Sequence, residues 1–381
     1  MSDAAQPRAP RGRLIWGGFC LSAWLRLLAR NGFAVEAPFR GAAAMATVLS
    51  SVSSLLGAWQ TIRYGAAIRR TVIPEAPVFI LGHWRSGTTF LFDLLARDER
   101  FGYPDTYECF FPGHFLVSRN FVTSRVRLEG DRGVDRVRLG WEQPREDEFA
   151  LCALGLPSPY LTAAFPNRPP QCSEYLDLRS LSEAQRRAWM KRYQRFLQAL
   201  TLHKQKRLML KCPPHTARVR VLQRMFPSAQ FIHIVRDPLA VIPSTLKLWR
   251  TVFDGLGLQT PTYAGLEDYV FDNFRRVTTC LDEDRPQLPA AQFYELRYED
   301  LVADPLRALE TIYQRLGLGD FAARRAALES YLATLKDYQP NKHDVQAELC
   351  SRIERECGAF MRRYGYLPAG NQEADAASIG S

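Results

Sequence analysis

Residues 77–98 read PVFILGHWRSGTTFLFDLLARD: an apolar run, a glycine turn, then apolar residues at helical spacing. Strand, loop and helix in that order constrain the fold more than any other stretch of the chain. They begin a parallel β-α unit, and a parallel sheet has to be covered by helices on both faces. Within the loop, Gly82 is followed by four residues and then Gly87, with Thr88 and Thr89 opening the helix. Such a loop aims successive backbone N–H groups and the positive end of a helix at one point, which is a site for an anion. Nucleotide kinases and ATPases place a lysine directly after the second glycine. This chain has Thr88 there, and the cation of its loop is Arg85.

The remaining elements fit the same plan. RLMLK (207–211) and FIHIV (231–235) read as buried strands, with amphipathic TARVRVLQRMF (216–226) between them, so strand, helix and strand imply a parallel pairing. FGYPDTYE (101–108) reads as a short strand and loop, AQFYELRY (291–298) as a further strand, and 181–204 and 266–284 as long helices. The expected fold class is α/β, a mainly parallel central sheet flanked by helices, with ligands beyond the carboxyl ends of the strands. Pro74 and Pro77 separate a helical leader (1–76) from a main domain (77–366), and a small, polar tail (367–381) is expected to be disordered.

The missing lysine bears on chemistry. A phosphoryl group in transfer carries high charge, which NTPases meet with the loop lysine, magnesium and an aspartate at a strand end. No strand here ends in an apolar run plus that aspartate. A sulfuryl group carries less charge, so its transfer needs no metal if cations cover the leaving phosphate. Arg85, Ser86, Gly87, Thr88 and Thr89 therefore suit a phosphosulfate. Two alternatives stay open at this point: a nucleotide kinase with a degenerate loop, and a membrane-associated nucleotide-binding protein without catalysis.

WRSGTTFL resembles the phosphosulfate loop of sulfotransferases that use 3′-phosphoadenosine 5′-phosphosulfate (PAPS), in a bacterial-type branch similar in motifs to tyrosylprotein and other glutamate-base enzymes. FIHIVRDPLAVIPSTLKLW (231–249) resembles the family's 3′-phosphate motif through Arg236, Asp237, Pro238 and Ser244. The physics agrees, because Asp237 can cap a helix that Pro238 starts. ELRYEDLVADPLRALETIYQRLGL (295–318) resembles the segment whose tyrosine lies near the adenine, here Tyr298, while Glu299 and Asp300 suit the cap of the next helix. YQPNKHD (338–344) falls where the family closes a loop over the nucleotide, which points to Lys342. The resemblance spans about residues 77–366 and implies PAPS as cosubstrate, no required metal, and a hydroxyl acceptor.

An acceptor hydroxyl must lose its proton as it attacks sulfur, so a base belongs beside it. The glutamate-using branch implies Glu108, with Asp105 its near rival. Lys211, at the end of a buried strand, matches the lysine that stabilises charge on the transferring group. Animal cytosolic enzymes place a histidine two residues beyond that lysine; here Pro213 stands there, and His215 is the second candidate base. The acidic run Glu146, Asp147, Glu148 reads as a solvated helix start, or as groups that orient an acceptor or pair with nearby cations, and takes no catalytic role.

A net charge of +10 favours an anionic partner. The basic residues are scattered through helices, and the motifs point to a nucleotide, so no nucleic-acid partner is expected. Aromatic residues Phe110, Phe111, Phe115, Tyr160 and Phe165 and an apolar leader favour a hydrophobic alcohol or lipid as acceptor. In the leader, Arg11 and Arg13 precede LIWGGFCLSAWL (14–25), which has the charge and apolar length of a signal peptide but no A-x-A site after it. Together with GAAAMATVLSSVSSLLGAWQTI (41–62) it reads as helices lying on a membrane or capping a hydrophobic tunnel, against an equal alternative of ordinary core packing. Eight cysteines without any C-x-x-C pair suit a reducing compartment, hence a cytoplasmic protein peripheral on the inner face of a membrane.

Overall fold

The computed structural model describes residues 11–128, 140–334 and 346–367. At the centre of the protein is a five-stranded sheet in the order β2-β3-β1-β4-β5, with every pairing parallel. The strands are β1 (Val78–Leu81), β2 (Phe101–Gly102), β3 (Arg207–Lys211), β4 (Gln230–Val235) and β5 (Phe293–Arg297). Before the sheet come α1 (Leu21–Arg30) and α2 (Arg40–Arg70); between its first three strands lie α3 (Thr88–Leu95), α4 (Thr106–Phe110), α5 (Phe115–Thr123), α6 (Glu148–Ala153) and α7 (Glu183–Lys204). Next are α8 (Val219–Met225), α9 (Pro238–Leu256) and α10 (Leu266–Asp284), and after β5 follow α11 (Tyr298–Ala303), α12 (Pro305–Leu316), α13 (Ala322–Ala333) and α14 (Ala347–Arg363).

The strands are apolar throughout because both faces of the sheet are covered. Side chains alternate: Val78 and Ile80 share one core cluster with residues of α3, α12 and α13, whereas Phe79 and Leu81 share another with residues of α7 and α8. A third cluster joins the leader to the rest of the molecule. Trp16, Phe19, Trp24 and Leu27 share one core with Trp249 and Phe253 of α9 and Phe274 of α10.

The expected strands and long helices are present, and the differences lie at their ends. The first leader segment breaks into a 3-10 stretch (Arg11–Gly18) and α1, because the backbone passes so close to α4 that a Cβ on Gly18 would lie 1.9 Å from the Phe110 oxygen. The helix expected from 216 starts at Val219, since Pro213 opens a 3-10 turn over Pro213–Ala217. Only Phe101 and Gly102 of 101–108 are strand. Asp105 accepts from the Glu108 amide while the Glu108 side chain accepts from the Asp105 amide, and this capping box starts α4. Tyr298 begins α11 rather than ending β5, and Asp304, not Glu299 or Asp300, caps the helix after it.

Candidate active site

The loop after β1 owes its shape to backbone that few residues tolerate. Arg85 and Gly87 are left-handed, with φ of 68° and 104°. A Cβ on Gly87 would lie 2.3 Å from Tyr298 Cδ2, so both conformation and space demand glycine there. Ser86 is turned inward: its hydroxyl and its amide both donate to the His83 carbonyl, at 2.8 and 3.2 Å. No side chain caps α3, which leaves the first-turn amides at Thr88 and Thr89 without a capping acceptor and open to an anion.

The second motif folds onto the first. Asp237 accepts from the Leu239 amide at 2.9 Å with Pro238 at the first helical position, the cap expected from the sequence. Ser244 accepts from Arg85 Nε at 2.9 Å, and Arg236 Nη1 donates to the Arg85 carbonyl at 3.3 Å. The Arg236 guanidinium lies 4.1 Å over the ring of Tyr298, which in turn abuts Gly87. Arg85, Gly87, Arg236, Ser244 and Tyr298 thus form one patch at the carboxyl ends of β1, β4 and β5. Lys342 lies outside the described residues.

The acidic run is not a solvated helix start. Its three successive carboxylates each meet a different base of segment 211–218. Glu146 Oε1 accepts from Lys211 Nζ at 2.7 Å, Asp147 contacts His215 Nε2 at 2.9 Å, and Glu148 is held by Arg218 through two bonds of 2.6 and 3.0 Å. The last two pairs are fully buried, whereas the Glu146 side chain keeps 18% exposure. Lys211 Nζ also donates to Thr89 Oγ1 at 3.3 Å, which ties this pair to the anion loop. The other oxygen of Glu146 accepts from Tyr160 at 2.5 Å, and the Tyr160 oxygen accepts from Trp84 Nε1 at 3.1 Å. Burial pushes the Glu146 carboxyl up, but Lys211 and Tyr160 together hold it below its ordinary value. A carboxylate that can take a proton and an ammonium that can stabilise negative charge therefore stand side by side at the loop.

Glu108 and Lys211 keep different partners. Glu108 is fully buried at the start of α4, where it contacts His203 Nδ1 at 2.7 Å and Lys204 Nζ at 3.0 Å as well as the Asp105 amide. Asp105 lies in the same cluster, ion-paired with Arg119 at 2.7 Å and Lys204 at 3.1 Å. Burial raises the Glu108 carboxyl, and His203 and Lys204 outweigh it and hold the group low. His215 is enclosed between Asp147, Tyr193 and the ring of Phe79, with Cys212 near enough that one ligand atom from each of Asp147, Cys212 and His215 lies within 4.8 Å of the others. All eight cysteines are free thiols.

Two features of this site have no assignment from the sequence, Tyr160 as the hydrogen-bond partner of Glu146 and Trp84, while Glu146 carries only the alternative of orienting an acceptor or pairing with cations. A signal exists in the equal count of acids at 146–148 and bases at 211, 215 and 218, but only the sheet brings them together. Tyr160 continues into a row of aromatic contacts, with Phe149 5.3 Å from Tyr160 and Phe110 6.1 Å from Phe149.

A family model described as "Sulfotransferase family" matches residues 77–322. The chain is 44% identical over 353 residues to the omega-hydroxy-beta-dihydromenaquinone-9 sulfotransferase Stf3 of Mycobacterium bovis, covering 92% of this chain and 91% of that one. Its fold is similar to that of sulfotransferase STF9 from Mycobacterium avium, with a TM-score of 0.66 at 17% identity over 95% of this chain and 98% of that one. It is likewise similar to sulfotransferase STF1 from Mycobacterium tuberculosis, with a TM-score of 0.61 at 20% identity over 92% and 93%. Match, identity and coverage together set aside the kinase and non-catalytic alternatives: the chain belongs to the sulfotransferase family.

Proposed function

We propose that this sulfotransferase moves the sulfuryl group of PAPS to the hydroxyl of a lipid, with Glu146 as the base and Lys211 as the group that stabilises developing charge. The observation that carries the reading is the Glu146–Lys211 pair, 2.7 Å apart, with Lys211 3.3 Å from Thr89 of the loop. The loop amides with Arg85, Thr88 and Thr89 take the 5′-phosphosulfate, while Ser86 supports the turn. Arg236 and Ser244 take the 3′-phosphate, and Tyr298 flanks the adenine side.

The acceptor oxygen attacks sulfur as its proton passes to Glu146. An O–S bond forms while the bond from sulfur to the bridging oxygen of the 5′-phosphate breaks, and the electron pair leaves on that oxygen. Lys211 and the loop donors stabilise the charge there. As Lys211 turns toward the departing oxygen, Glu146 loses the ammonium that held its carboxyl low and becomes a stronger base. These cations do the work that a metal does in phosphoryl transfer, so no metal is required.

The acceptor class draws support from the name of the 44% identical relative, an omega-hydroxy-dihydromenaquinone sulfotransferase, and from the aromatic row leading to Glu146. A hydroxylated isoprenoid quinone or similar lipid is the acceptor, met by a cytoplasmic protein in peripheral contact with a membrane. Incubation with radiolabelled PAPS and a membrane lipid extract, with mass spectrometry of the labelled product, tests this. A sulfated lipid formed equally with and without EDTA is expected, together with tighter binding of 3′-phosphoadenosine 5′-phosphate than of ATP. No labelled lipid, or transfer abolished by EDTA, would overturn it.

A further inference from the structure

Helix α2 is built inside out. Its buried side is small or polar apart from Ile68: Ala43, Ala46, Ser50, Ser53, Gln60 and Gly65. Ser50 donates to the Trp16 carbonyl at 3.1 Å, Ser53 to the Gly17 carbonyl at 2.9 Å, and Gln60 accepts from the Leu116 amide at 2.8 Å. Its outer side is large and apolar. Met45, Val48, Val52, Leu55, Trp59 and Ile62 alternate at spacings of three and four and are 52%, 60%, 48%, 72%, 53% and 84% exposed. A surface helix of a globular protein shows the reverse arrangement. A contiguous exposed stripe of this kind marks a surface that meets something apolar.

Charge says what covers it. From residue 37 to residue 74 there is no Asp or Glu, while Arg40 stands at the start of α2 and Arg63, Arg69 and Arg70 near its end, all exposed. Two copies paired through this face would bring arginines against arginines with no acid on the helix itself to offset them. An anionic bilayer satisfies both parts, the acyl region taking the stripe and the headgroups taking the arginines. The helix is long and apolar enough to cross a membrane by composition. The hydrogen bonds along its inner side hold it against the protein instead, so it lies in the plane of the interface.

We propose that α2 docks this protein flat on an anionic lipid surface through Met45–Ile62, and that the acceptor enters from that surface. The geometry joins dock and site. A Cβ on Gly17 would lie 2.7 Å from Leu49 Cβ of α2, and Gly18 abuts the Phe110 carbonyl at the head of the aromatic row that ends at Tyr160 and Glu146. The route of entry rests on the transfer reading above, but the docking does not.

The test is co-sedimentation with vesicles of phosphatidylcholine alone or mixed in equal parts with phosphatidylglycerol, without donor or acceptor, so its failure is distinct from failure of the transfer reading. The protein is expected to bind the anionic vesicles, and less so as salt is added. Leu55→Glu and Trp59→Glu should each weaken binding at least about tenfold, with the melting temperature nearly unchanged because both side chains lie outside the core. Absence of binding, or variants that bind like the parent, would overturn the proposal. A dimer that dissociates on these substitutions, without vesicle binding, would assign the face to a second copy.

Discussion

Gly87 has little freedom, since its φ of 104° and the 2.3 Å that would separate a Cβ there from Tyr298 both exclude a side chain. Gly87→Ala should cost about 1–3 kcal/mol in stability, the scale of a strained backbone position, and should lower affinity for 3′-phosphoadenosine 5′-phosphate. Urea unfolding and calorimetric titration of the same variant check both. Arg236 props the loop through the Arg85 carbonyl, and in the proposed reading it also offers charge to a 3′-phosphate. Arg236→Ala should weaken nucleotide binding by about 1.5–3 kcal/mol, the scale of a charge-assisted hydrogen bond, and Ser244→Ala by less. Unchanged affinity in both would reduce the second motif to a capped helix.

The β1-loop-α3 unit is legible in the sequence because most of what shapes it is local: a run of four buried apolar residues, glycines at two of the three positions where φ is positive, and apolar residues at helical spacing after them. The cap at Asp237 is legible for the same reason. The pairing of 146–148 with 211–218 is open in the sequence only as an alternative, because it joins segments 65 to 70 residues apart that meet only when β3 docks beside β1. A run of acids before an apolar helix looks alike whether it faces water or buried cations. The Asp105-x-x-Glu108 capping box is written in the sequence, yet the same two carboxylates also fit a catalytic reading, and only their burial among His203, Lys204 and Arg119 separates the two. The element-scale consequence is measurable at Glu148, whose partner Arg218 is fully buried. Glu148→Ala leaves that guanidinium without its carboxylate and should destabilise the protein by about 3–5 kcal/mol, read from urea unfolding.

At the scale of the whole molecule, two histidines couple stability to acidity. Burial pushes His83 from its ordinary 6.5 down to about 4, against the Trp84 carbonyl, which acts the other way. Burial likewise lowers His114 to about 4, against its own backbone carbonyl. Both folded values are depressed, so the unfolded chain binds protons that the fold refuses: stability is full above 6.5 and is lost as pH falls toward 4. The slope should approach about 1.4 kcal/mol per pH unit for each histidine, and denaturant midpoints across that window should be shallower in pH for His114→Asn. One carboxylate serves the transfer, and turnover with PAPS and a lipid acceptor decides which. Glu146→Gln should reduce turnover by about a hundredfold to ten-thousandfold with affinity for 3′-phosphoadenosine 5′-phosphate retained, while Glu108→Gln keeps most of its turnover. Turnover surviving in Glu146→Gln but lost in Glu108→Gln or His215→Ala would contradict it.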